Sequence, residues 1–265
     1  VATGSPAGRE ARIVPTKPAG GKLRRTLVLA ALFAGLLARA APAQQAAVRF
    51  PVRAWPDGAI LGAGLAAALV PQLWPASFAH ATCAPCNPSR LWALDRGAVG
   101  PVRSVADVAS TGVLGVEAVL GAAFLAASRR GQGFAPLAED AVVIAQAMTV
   151  TSAATEWAKV LFHRPRPFLY VPTASSVSSA DYGRSFPSGH TSVAFAAAAA
   201  YASVLHRRGI AGRHGVEIGV LFATAATTGV LRVVAHKHFP TDVAAGAILG
   251  FAIGWTVPAL HTTTR

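Results

Sequence analysis

The amino-acid sequence predicts an all-α fold: an integral membrane helical bundle of about six transmembrane helices. Three observations predict it. Of the 265 residues, 53% are hydrophobic and only 13% are charged. The apolar residues fall in long Ala/Val/Leu/Gly runs rather than the short alternating runs of half-buried strands. The basic residues between these runs gather in alternate loops, the pattern of a multi-pass chain with its positive loops on the cytoplasmic side.

Residues 1–43 read as a leader. The first 21 are rich in Gly, Pro and Ala, and are followed by Lys22-Leu23-Arg24-Arg25, an apolar stretch from Thr26 to Leu37, and Ala41-Pro42-Ala43. A basic region, a short apolar region and small residues at a cleavage position describe an export signal, with an uncleaved N-terminal anchor as the alternative. Most of the formal net charge of +13 is N-terminal. Residues 1–53 hold nine Lys/Arg against Glu10 alone, which leaves +5 for the rest. A nucleic-acid-binding domain carries its basic stripe on the folded part, so nucleic acid is not an expected partner.

Six apolar segments follow, at 59–75, 107–127, 140–161, 190–205, 216–235 and 241–260. The first, which contains Pro71, and the fourth are short against the ~20 residues needed to cross the hydrocarbon core. Arg129 and Arg130 lie between the second and third segments, and Arg207, Arg208 and Arg213 between the fourth and fifth. Both loops are therefore expected in the cytoplasm, and the loops at 76–106, 162–189 and 236–240 outside it. A cleaved signal would start the mature chain outside, so a full crossing by 59–75 would invert this order. Either the signal stays attached or 59–75 does not cross. Residues 44–104 then form a first helix and an extracytoplasmic loop, and 105–265 a catalytic domain. The loop holds Cys83 and Cys86, the only C-x-x-C. It suits a local disulfide in an oxidising compartment, while His80 leaves a His/Cys/Cys metal site open.

Polar residues that an apolar chain should avoid concentrate on the outward side. Lys159 precedes Arg166-Pro167, Pro187-Ser188-Gly189-His190 opens the fourth segment, and Arg232 precedes His238, which precedes Asp242 by four. A phosphoryl group in transfer spreads negative charge over its oxygens, so catalysis rests on positioned cations and donors. Lys159, Arg166 and Arg232 can supply that clamp, and Ser188 and Gly189 can add donors at a helix start. Pro240 suits a first helical turn, which puts His238 just before a helix and Asp242 within it. The carboxylate can then reach one imidazole nitrogen and leave the other to attack phosphorus. His190 can protonate the leaving oxygen and later activate water. The scheme needs no metal and no cofactor. Glu117 and Glu156, inside apolar segments, leave a transporter or non-catalytic membrane protein as a rival.

Lys159-x6-Arg166-Pro167, Pro187-Ser188-Gly189-His190 and Arg232-x5-His238-x3-Asp242, in this order, resemble the three-part signature of the type 2 phosphatidic acid phosphatase family. The resemblance covers about residues 105–260. It implies an all-helical core, a phosphohistidine intermediate at His238 and extracytoplasmic catalysis, and a site between spans and an outward loop suits a lipid phosphate or prenyl-type pyrophosphate at the cytoplasmic membrane. The family also includes vanadium haloperoxidases, so vanadate-dependent oxidation and phosphoryl transfer to an acceptor other than water are alternatives. One departure stands out: the family places Ser before the third-motif Arg, where this chain has Leu231. One lost hydroxyl contact, worth roughly 1 kcal/mol, would alter rate or substrate rather than abolish turnover.

Overall fold

The computed structural model describes Val1 and residues 48–74, 78, 83–172 and 182–261. The leader expected at 1–43, Val1 apart, and His80 lie outside the described residues. Among the described residues seven α-helices follow in order: α1 Ala54–Leu73, α2 Ala93–Arg96, α3 Ser104–Ser128, α4 Phe134–Phe162, α5 Gly189–Arg207, α6 Gly215–Val234 and α7 Pro240–Leu260. No strand occurs among the described residues. All long helices except the short α2 coincide with the six apolar segments, extended by a few residues where local chemistry closes their ends. Asp57 accepts the Arg53 N–H at the start of α1. Pro240 occupies the first position of α7, where its missing N–H costs nothing. His163, in the left-handed conformation at φ 45°, stops α4.

Among the described residues four helical segments are long and apolar enough to cross a membrane: Ala54–Leu73, Ser104–Ser128, Ala211–Val234 and Pro240–Leu260. The expected six spans are thus six long helices, of which α4 and α5 lack that composition. α4 carries Glu139, Asp140, Glu156 and Lys159. α5 is the central helix, packed against α3, α4, α6 and α7. Most of its residues are buried, including Thr191, Ser192, Ala194, Ala196 and Ala198 to Val204. Neighbouring helices solvate it instead of lipid, so small side chains serve it better than large apolar ones.

The α5–α7 contact is the tightest in the molecule. Gly246, Gly250 and Gly254 recur every four residues along α7 and meet the α5 backbone directly. A Cβ at Gly250 would lie 2.0 Å from the Ser192 carbonyl oxygen, and one at Gly254 would lie 2.5 Å from that of Ala196. Such a stripe of small residues lets two helix backbones approach as closely as packing allows. One turn before it, the Ser188 N–H donates to the Asp242 carbonyl at 3.0 Å, which ties the starts of both helices together.

The helices alternate in direction, so the ends of α4 and α6 meet the starts of α3, α5 and α7. At the opposite end Asp140 takes Arg129 on one oxygen and Arg208 on the other. Two of the five arginines expected to face the cytoplasm are therefore buried structural partners of a carboxylate. Arg130 and Arg213 remain exposed there, and Arg207 is half-buried.

Candidate active site

His238 lies in the short turn between α6 and α7 and is 1% exposed. Its Nδ1 sits 2.7 Å from the Ser185 carbonyl oxygen. A carbonyl only accepts, so Nδ1 carries the proton and Nε2 holds the lone pair. Arg166 Nη1, which only donates, approaches that Nε2 at 3.3 Å. Burial, with the charges of Arg166, Arg232 and Lys159, holds the imidazole well below its ordinary pKa. The ring is neutral at neutral pH, with Nε2 available as a nucleophile.

Asp242 does not bond the imidazole directly. Its Oδ2 is 3.7 Å from Nδ1 and instead accepts the Ser185 hydroxyl at 2.5 Å and the Phe239 N–H at 2.8 Å. Its Oδ1 pairs with Arg164. The i, i+4 spacing brings the carboxylate beside the ring, but the N-terminal N–H of α7 and Ser185 claim its lone pairs. Arg164 also reaches Asp95 at 2.8 Å and lies 4.4 Å over the Phe239 ring. Asp95 in turn accepts the Thr241 hydroxyl at 2.8 Å. The short helix α2 thereby buttresses the start of α7.

A cavity of about 470 Å³ opens beside His238 and is lined by Lys159, Arg166, Arg232, His190 and Gly189, among others. Lys159, at the end of α4, pairs with Glu156 one turn earlier. Its ammonium packs so closely on Gly189 that a Cβ there would lie 3.1 Å from Nζ. Arg166 is braced by the Lys237 carbonyl at 3.1 Å. Arg232 pairs with Asp107 and donates to the Ser110 hydroxyl oxygen at 3.1 Å, so α3 supplies a hydroxyl beside it where Leu231 cannot. His190 Nε2 meets the Thr111 hydroxyl at 3.1 Å.

Seven of the eight expected site residues thus converge on the cavity or on His238. Ser188 does not line the cavity: its hydroxyl pairs with Thr191 at 2.9 Å and its N–H with Asp242, which makes it a helix-start linker. Cys83 and Cys86 are joined as a disulfide, and the Cys86 N–H donates to the Leu169 carbonyl at 2.7 Å, just beyond Arg166-Pro167. Of the flanking residues, His236 Nδ1 meets the Ala98 carbonyl at 2.7 Å and Lys237 lies over Phe168, which gives both structural partners. Asp107, Thr111, Ser185 and Arg184 belong to none of the three motifs. Nothing in their spacing marks them, since packing alone brings them to the site.

Residues 140–265 match the family model of the PAP2 superfamily. The chain carries a PAP2 superfamily domain. No curated protein and no solved structure matches it. The matched PAP2 region begins within α4 and contains all three motifs, and it brings phosphatase-type activity on phosphate esters. The residues that brace Arg232 and meet His190 come from α3, which precedes the matched region.

Proposed function

We propose that this PAP2 protein is a membrane-embedded, metal-independent phosphatase that hydrolyses lipid phosphate monoesters or prenyl-type diphosphates through a phosphohistidine on His238. The observation that carries the reading is the His238 ring itself. Its Nδ1 proton is tied to the Ser185 carbonyl, and its Nε2 stands beside a cavity whose lining includes Lys159, Arg166, Arg184 and Arg232. Lys159, Arg166 and Arg232 neutralise the phosphoryl oxygens as charge develops. Nε2 attacks phosphorus, and the bond to the ester oxygen breaks as His190 delivers a proton to it. His190 then takes a proton from water, whose oxygen attacks the phosphohistidine and releases inorganic phosphate.

Apolar side chains support a lipid leaving group, because Leu114 of α3 and Val193 of α5 line the same cavity. The extracytoplasmic face is proposed for the site because Arg130, Arg207 and Arg213 cluster at the other end of the bundle. Phosphate release from a panel of lipid phosphates and diphosphates in EDTA tests the reading. Release by the parent chain and not by His238→Ala is expected. Activity that survives the substitution, or that needs added metal, contradicts the mechanism.

A further inference from the structure

We infer that the cavity holds a second phosphoryl subsite, built by Arg184 and Thr155, that receives the phosphate retained by the leaving group of a diphosphate ester. The inference rests on the phosphatase reading and narrows its substrate class. Arg184 lies outside the three motifs, lines the cavity and is 9% exposed. Its guanidinium is fixed from two sides: Nη1 donates to the Pro71 carbonyl of α1 at 2.9 Å, and Nη2 pairs with Glu156. Among the described residues two of its five N–H groups are so used, which leaves donors for a ligand beside the cavity. Thr155 lines the same cavity, is 1% exposed, and its hydroxyl has no hydrogen-bond partner among the described residues. A buried hydroxyl and a guanidinium with spare donors lining one cavity call for a ligand rich in acceptor oxygens.

The position suits the second phosphate of a diphosphate. Glu156 binds Lys159 through one carboxylate oxygen and Arg184 through the other, so the two cations flank a single carboxylate. Two cations held on one carboxylate beside one cavity can each meet one phosphoryl group of a diphosphate. In the reaction, His238 Nε2 attacks the terminal phosphorus and the bond from that phosphorus to the bridging oxygen breaks. The electron pair leaves on the bridging oxygen of an alkyl monophosphate, which Arg184 and Thr155 hold. Water then releases inorganic phosphate from His238.

The test compares kcat/KM for farnesyl diphosphate and farnesyl monophosphate with the full chain in detergent, for the parent, Arg184→Gln, Arg184→Lys and Thr155→Val. The parent is expected to favour the diphosphate. Arg184→Gln should lower diphosphate turnover by about tenfold or more, the effect of losing charge-assisted donors, while monophosphate turnover changes less than about threefold. Arg184→Lys should recover part of the loss. Thr155→Val keeps the shape and should lower only diphosphate turnover, which decides the matter if Arg184→Gln does not fold. Equal losses on both esters, or no diphosphate preference in the parent, overturn the subsite and leave the phosphatase reading intact. Hydrolysis of neither ester by the parent overturns both.

Discussion

At the residue scale, the site departs from a simple His–Asp dyad. Ser185 stands between the two, its carbonyl on His238 and its hydroxyl on Asp242. Ser185→Ala retains the carbonyl and removes one hydrogen bond to a buried carboxylate, a loss of about 1.5–3 kcal/mol in the stability of that linkage. It is expected to lower the unfolding temperature and to reduce kcat modestly, whereas Asp242→Ala, which also strips the cap of α7 and the partner of Arg164, should reduce kcat far more. Comparison of the two kcat values and melting curves checks this. A pH profile follows from the depressed pKa of His238. A lowered pKa keeps the imidazole neutral as pH falls, so the acid limb of kcat/KM should lie below the ordinary value of 6.5. The same group charges in the unfolded chain first, so stability should fall as pH drops below 6.5.

At the element scale, the contact of α5 with α7 fixes both the Pro187-Ser188-Gly189-His190 turn and the start of α7. Gly250→Ala would force a methyl into the Ser192 carbonyl. Overpacking of this kind costs about 1–3 kcal/mol, so reduced thermal stability in detergent and reduced activity are expected together. Gly219→Ala in α6 is the control, since nothing lies within 4 Å of a Cβ there. The three motifs were legible in the sequence because each is carried by spacing along one turn or helix end, as with Arg232, His238 and Asp242. The glycine repeat on α7 is also visible in the sequence and marks the face on which a helix packs closely, but only the structure shows that this helix is α5. Asp107, Thr111, Ser185 and Arg184 were not legible, because each acts across a contact between elements distant in the chain. The four-span composition was hidden for a related reason: hydropathy along α5 reports its neighbours, not lipid.

At the scale of the whole molecule, site and basic loops occupy opposite ends of one helical bundle. With Arg129 and Arg208 committed to Asp140, orientation rests on Arg130, Arg207 and Arg213. In a Cys83→Ser, Cys86→Ser background, Arg90→Cys should react with a membrane-impermeant maleimide in intact cells. Gln132→Cys should react only after permeabilisation, and the reverse pattern would put the site in the cytoplasm. The central claim is that His238 carries the phosphoryl group. The most direct measurement is rapid acid-free quenching of the parent chain with phosphorus-32-labelled substrate, followed by mapping of the label. The account predicts an acid-labile, base-stable label on His238 that is absent from His238→Ala. A label on another residue, or one retained by His238→Ala, would contradict it.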